Sequence, residues 1–330
     1  VDVGGGGLEG VGERGVLHGG ERREQDAQVH LDVGRARALD ELPRQEAIKK
    51  MEEPIGTYKS PDIHVSDETA NGVPVLVYKP KNLTSGTPTL IWMHGGGFQF
   101  GTYKMNEGDI VSREICDRGN MVVVNVEYRL VNESIKFPAP QDDCLAVLDW
   151  VVANIEKLGG RRDAIFIGGI SAGACLAATT AVLDRDRGTN YLKGQLLNCP
   201  LLHRVLPPLS EELTEKLKET NGLFFKPELI TGLNVFVVPN AQAAADNLAW
   251  RPGDLPNLSG LPVAQIINCE YDSLRASGEL YGEQLNAAGV KTEVLMQDGV
   301  PHAHLNRLPV DCPEMVETLE NMVRWIKENA

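Results

Sequence analysis

No apolar run in the 330 residues reaches the length needed to span a membrane. Basic charge is also in short supply: 32 Lys and Arg stand against 46 Asp and Glu, giving a formal net charge of −14. That balance argues against nucleic acid or an anionic membrane as the main partner, because both attract positive surface. The six cysteines (116, 144, 175, 199, 269 and 312) form no C-x-x-C spacing. They read as buried free thiols in a reducing, cytoplasmic compartment, not as a disulfide frame or a zinc site. The glycine run at 95–97 fits neither G-x-G-x-x-G nor a Gly-Lys-Ser/Thr phosphate loop, and there is no internal repeat.

What is present is enough apolar residue, 42%, for a sizeable core. The first twenty residues hold nine glycines, and the stretch to about Arg37 has neither helical nor strand periodicity. Residues 1–50 therefore read as a disordered leader, with Ala38, Leu39, Leu42, Ala47, Ile48 and Met51 marking a short amphipathic cap helix. The leader lacks the apolar core of a signal peptide, and a native start near Met51 is expected.

Residues 51–330 read as one catalytic domain. Short apolar strands are expected at 73–78, 89–93, 121–126, 164–168, 195–199, 263–268 and 291–296. Helices fall at 142–157, 175–183, 273–288 and 313–329. Such alternation implies an α/β fold with a mostly parallel sheet covered on both faces. The interval at about 202–254 breaks the rhythm with Pro207-Pro208, a charged helix at 210–220, Phe224-Phe225 and an Ala-rich piece ending in Trp250. It reads as a helical cap, the alternative being a surface excursion with no part in substrate binding. The three aromatics fill the cap's own core or line a pocket, and the core reading is the safer one.

Gly169-Ile170-Ser171-Ala172-Gly173 stands between the strand at 164–168 and the helix that follows. Strand, G-x-S-x-G, helix is the context of a nucleophile elbow. Its glycines are required because a Cβ there would meet the adjacent strand and helix. Ser171 is the candidate nucleophile. His94-Gly95-Gly96-Gly97-Phe98 follows a buried strand and bares consecutive backbone N–H groups, as stabilising a tetrahedral oxyanion requires. His94 reads as a brace for that loop. Only His302 and His304 lie past the last strand, where a base belongs in the order Ser, Asp, His, and the residues alone do not choose between them. Asp272 is the candidate acid, with capping of the next helix as its everyday alternative and Glu270 as a rival better suited to a structural partnership.

Together these motifs resemble the hormone-sensitive lipase family of α/β-hydrolases. The likeness runs through His94-Gly95-Gly96-Gly97-Phe98, Glu127-Tyr128-Arg129-Leu130, Phe137-Pro138-Ala139 with Asp142-Asp143, and the Ser171 elbow. It continues in Leu258-Ser259-Gly260-Leu261-Pro262, Glu270-Tyr271-Asp272-Ser273-Leu274-Arg275 and Pro301-His302. The resemblance implies an α/β-hydrolase fold, a Ser171–Asp272–His302 triad, and an oxyanion hole from the N–H groups of Gly96, Gly97 and Ala172. It prefers His302 over His304, which occupies a position that is usually aromatic. It further implies a serine carboxylic-ester hydrolase for a small ester, short in its acyl chain, with no cofactor or metal, and it is compatible with a homodimer. A lactone or amide within secondary metabolism is the alternative substrate. A non-catalytic receptor on the same scaffold is the rival from another class, but such receptors lose the histidine that this chain keeps. The chain departs from the usual Gly-Asp-Ser-Ala-Gly-Gly at Ile170 and Ala174, and Ile170 takes a negative charge from beside the nucleophile.

Overall fold

The computed structural model describes residues 58–219, 227–246 and 248–330. The leader and cap helix expected at about 1–51, and Phe224 and Phe225, lie outside the described residues. Eight strands form one sheet: β1 (Ile63–Ala70), β2 (Val73–Pro80), β3 (Thr87–Met93), β4 (Val122–Val126), β5 (Gly160–Ile170), β6 (Leu192–Asn198), β7 (Val263–Tyr271) and β8 (Thr292–Pro301). Their order is β1-β2-β4-β3-β5-β6-β7-β8, with β2 antiparallel to both of its neighbours and every pair from β4 to β8 parallel.

The mostly parallel sheet matches the sequence expectation, and β1 is an addition to it. Seven of its eight residues are exposed or half-exposed, so no apolar alternation announces it. The hairpin turn does: Asn71 and Gly72 both have positive φ, 50° and 93°, as a two-residue turn between right-twisted strands needs. His64, expected ahead of the first strand, lies within β1 opposite Lys79.

The described helices are α1 (Asn106–Gly119), α2 (Ala139–Leu158), α3 (Ala172–Asp186), α4 (Glu211–Glu219), α5 (Pro227–Val237), α6 (Ala241–Asp246), α7 (Arg275–Ala287) and α8 (Pro313–Asn329). Alternation along the strands sorts them into two layers. Ile91 and Met93 of β3 pack with Val147, Val151, Leu176 and Tyr281 from α2, α3 and α7. Leu90 and Trp92 face the other way, onto Val111, Ile115, Met322 and Ile326 from α1 and α8. Each face thus buries its own apolar set, which is why the central strands read as continuous hydrophobic runs.

No sequence expectation covered α1. Asn106, Glu107, Ser112 and Glu114 are polar yet buried along it, which blurs the 3.6-residue pattern.

Candidate active site

The parallel strands end at one edge, and strand order reverses around β3, with β4 on one side and β5 on the other. Ligands of open α/β sheets settle at such an edge. There β5 turns sharply into α3 at Ser171, whose φ of 55° and ψ of −114° are unusual for a residue with a side chain. Such strain persists only where the surroundings over-determine it. Here the Ser171 N–H donates to Asn198 O at 2.9 Å. A Cβ on Gly169 would lie 2.5 Å from the Gly173 carbonyl carbon and 2.7 Å from Met93 O, and one on Gly173 would collide with the Met93 and His94 carbonyl oxygens. Both glycines of the elbow are therefore dictated by packing.

His302, beyond β8, brings Nε2 to 3.0 Å from Ser171 Oγ and Nδ1 to 2.6 Å from Asp272 Oδ2. With the carboxylate ionised, Nδ1 carries the proton and donates it to Asp272, leaving Nε2 to accept from the serine hydroxyl. Burial alone would lower the imidazole's pKa, but the Asp272 carboxylate and the neighbouring Cys199 outweigh it and hold His302 well above the ordinary histidine value. Asp272 is fully buried, and its second oxygen accepts the Leu274 N–H at 2.9 Å. It thus closes the turn into α7 while facing the imidazole.

His304 points elsewhere. It is buried with Nε2 at 2.9 Å from Thr318 Oγ1 and Nδ1 at 3.3 Å from Cys269 Sγ. Burial, with His302 adding to it, pushes its pKa down to about 3. Glu270 is tied to Lys216 of α4 and accepts the Gly299 N–H at 2.7 Å, the structural partnership expected of it.

The glycine loop lies directly over the elbow. An added Cβ at Gly95 would come within 3.4 Å of Ser171 Cβ. Gly96 and Gly97 have φ of 105° and 57°, and a Cβ on Gly96 would run into Phe100 O. Among the described residues, the N–H groups of Gly96 and Gly97 meet no backbone acceptor outside regular secondary structure. Ala172, directly after the nucleophile, opens α3. His94 braces this loop as expected: its Nδ1 is 2.7 Å from Gly95 O, and its ring stacks on Tyr128 at 4.4 Å with planes 16° apart. The Tyr128 hydroxyl donates to His94 O at 2.8 Å. Glu127 accepts from Thr102 Oγ1 and the Tyr103 N–H, and Arg129 grips Asp143 at 2.7 Å. The Glu127–Arg129 stretch is thus scaffolding for the loop.

Two residues near the site escaped the sequence reading. Glu107 of α1 accepts the Gly95 N–H at 2.5 Å and also holds Asn306, four residues after His302. Burial raises its pKa to about 7, against the lowering pull of the Gly95 N–H. Cys199 follows β6 and, with Asp272 and His302, presents ligand-type atoms all within 4.8 Å of one another. Its place at the end of a parallel strand was the available signal.

Residues 90–306 match a family described as the alpha/beta hydrolase fold. The chain belongs to this family, in its hormone-sensitive lipase-like branch. It is 32% identical over 256 residues to carboxylesterase NlhH of Mycobacterium tuberculosis, covering 74% of this chain and 77% of that protein. Against an arylesterase of Saccharolobus solfataricus the identity is 30% over 253 residues, covering 77% and 78%. Among solved structures, a hyperthermophilic esterase from the archaeon Pyrobaculum calidifontis superposes with a TM-score of 0.71 at 30% identity, covering 94% of this chain and 93% of that one.

Proposed function

We propose that this α/β-hydrolase cleaves small carboxylic esters through an acyl-enzyme on Ser171. The supporting observation is the unbroken path from Ser171 Oγ to His302 Nε2 at 3.0 Å and from Nδ1 to Asp272 at 2.6 Å, between residues far apart in the chain. Ser171 Oγ attacks the ester carbonyl carbon while its proton passes to His302 Nε2. Asp272 stays ionised, holds the Nδ1 proton and stabilises the imidazolium. The carbonyl oxygen becomes an oxyanion and is received by the N–H groups of Gly96, Gly97 and Ala172. Collapse breaks the bond to the alcohol, which leaves with the proton from Nε2. Water, deprotonated by the same nitrogen, then attacks the acyl-enzyme and releases the acid.

Residues 202–254 act as the cap that selects the substrate. In support, Lys216 of α4 pairs with Glu270 two residues before Asp272, and the Phe137 N–H donates to Val237 O of α5 at 2.9 Å. Trp250 is buried between α3 and Phe137, with the ring centroids 6.4 Å apart, so it belongs to the packing beneath the cap. Short acyl chains are the proposed preference. All six cysteines are free and buried, in keeping with a reducing, cytoplasmic setting, and among the described residues no helix is long and apolar enough to cross a membrane.

The test is turnover of a nitrophenyl ester series of increasing acyl length, with and without a serine-directed phosphonate. Turnover falling with chain length, together with a phosphonate adduct mapped to Ser171, is expected. Absence of both turnover and adduct would overturn the reading.

A further inference from the structure

The hydrolytic cycle uses both nitrogens of His302, the Asp272 carboxylate and the Ser171 hydroxyl, and it leaves Cys199 with nothing to do. Yet the thiol is placed against the triad with some care. Cys199 has a φ of 37°, a left-handed conformation that costs a non-glycine residue energy and needs support from its surroundings. Its N–H is fixed on Ile267 O at 2.8 Å, and its Sγ lies 3.4 Å from Asn198 Oδ1. The thiol, a carboxylate oxygen of Asp272 and a nitrogen of His302 then fall within 4.8 Å of one another.

A thiolate, an imidazole and a carboxylate are all recognised ligands of zinc, and three protein ligands with an open fourth place make a stable zinc site. Neighbouring ligand atoms around one tetrahedral zinc stand about 3.5 Å apart, so these three need to shift by only about an ångström. The imidazole keeps some exposure, 9% of its side chain, which gives an ion the same way in as substrate.

We propose that Cys199, Asp272 and His302 form an inhibitory site for a thiophilic divalent cation of the zinc type. The proposal rests on the triad assignment above. On binding, the Cys199 thiol releases its proton to solvent and the sulfur donates an electron pair to the metal. The cation takes Nδ1, the nitrogen that faces Asp272, and the Nδ1 proton moves to Nε2. Nε2 then has no lone pair to accept the serine proton, so His302 ceases to be a base, and Asp272 is occupied as a ligand. Chelation reverses the state without breaking any carbon bond.

Two measurements test this on the full chain. Ester turnover is titrated with zinc chloride and then with EDTA, each protein being compared with its own metal-free rate. The wild type should be inhibited and then restored. In Cys199→Ala the zinc concentration for half-inhibition should rise by about 100-fold, the upper end of what losing a mere supporting group costs a metal site. Cobalt(II) is added separately and the thiolate-to-cobalt charge-transfer band recorded. The band should appear in the wild type and in Ser171→Ala, which cannot turn over, and should vanish in Cys199→Ala. If Cys199→Ala fails to fold, the nearly isosteric Cys199→Ser serves for both readings. Equal zinc sensitivity with and without the thiol, or a cobalt spectrum lacking the band, would overturn the proposal. A band in a protein that hydrolyses no ester would instead overturn the functional reading and leave the metal site standing.

Discussion

Glu107 of α1 accepts the Gly95 N–H at 2.5 Å, so a buried carboxyl is fastened to the loop one residue before Gly96 and Gly97. Its other oxygen takes the Asn306 amide, linking that loop to the segment that follows His302. Its pKa of about 7 in the fold, against 4.5 ordinarily, has a consequence for stability. Between those two values the folded state binds more protons than the unfolded chain, so this group's contribution falls as pH rises. Glu107→Gln removes the titration. The variant should gain on the wild type by up to about 3 kcal/mol across that window, since each pKa unit is worth about 1.4 kcal/mol. Urea denaturation at several pH values reads it, and a gap that does not change with pH would refute it.

The two histidines past β8 should separate cleanly. His302→Ala is expected to lose about a thousandfold or more in kcat, as removal of a triad member does. His304→Ala, lacking the bond to Thr318, should keep its turnover per folded molecule and lose about 1–3 kcal/mol of stability. Steady-state kinetics with active-site titration distinguishes them, and the reverse pattern would transfer the base to His304.

Gly96→Ala should reduce kcat by about 100-fold or more, the scale of losing an oxyanion donor. Its Cβ has no room beside Phe100 O, and its φ of 105° is foreign to alanine. Ser171 should still be labelled by phosphonate, though slowly. Unchanged kcat would mean that the loop does not receive the oxyanion.

Ile170→Asp restores the acid commonly found at this elbow position, and it should nevertheless harm this protein. Ile170 is fully buried in an apolar cluster with Phe166, Cys199, Val300 and Leu305. A carboxyl placed there loses its water without gaining a partner, a cost of about 2 kcal/mol or more. Chemical denaturation measures it, and a variant as stable as the wild type would show that a partner for the acid is already in place.

The sheet and the residues gathered around Ser171 were legible in the sequence for different reasons. Central stretches such as Leu90–Met93 and Met121–Val124 are buried on both faces, and unbroken apolar runs say so directly. Gly169 and Gly173 advertise the elbow because no other residue fits where they touch β3. The choice of His302 over His304 needed the family resemblance, since both histidines follow the same strand and only the fold turns one toward Thr318. β1 escaped because an exposed edge strand has no apolar face to reveal it. Glu107 and Cys199 escaped because their significance lies in neighbours 12 residues or more away in sequence, the Gly95 amide for one and the Asp272–His302 pair for the other.

The single carboxylate of Glu270 holds Lys216 of α4 with one oxygen and the Gly299 amide, three residues before His302, with the other. Helix α4 and the loop leading to His302 therefore hang from one anion. A displacement of α4 is passed through Glu270 to the loop that carries His302. Under the cap role proposed above, selectivity is felt in the speed of each turnover and not only in the tightness of binding.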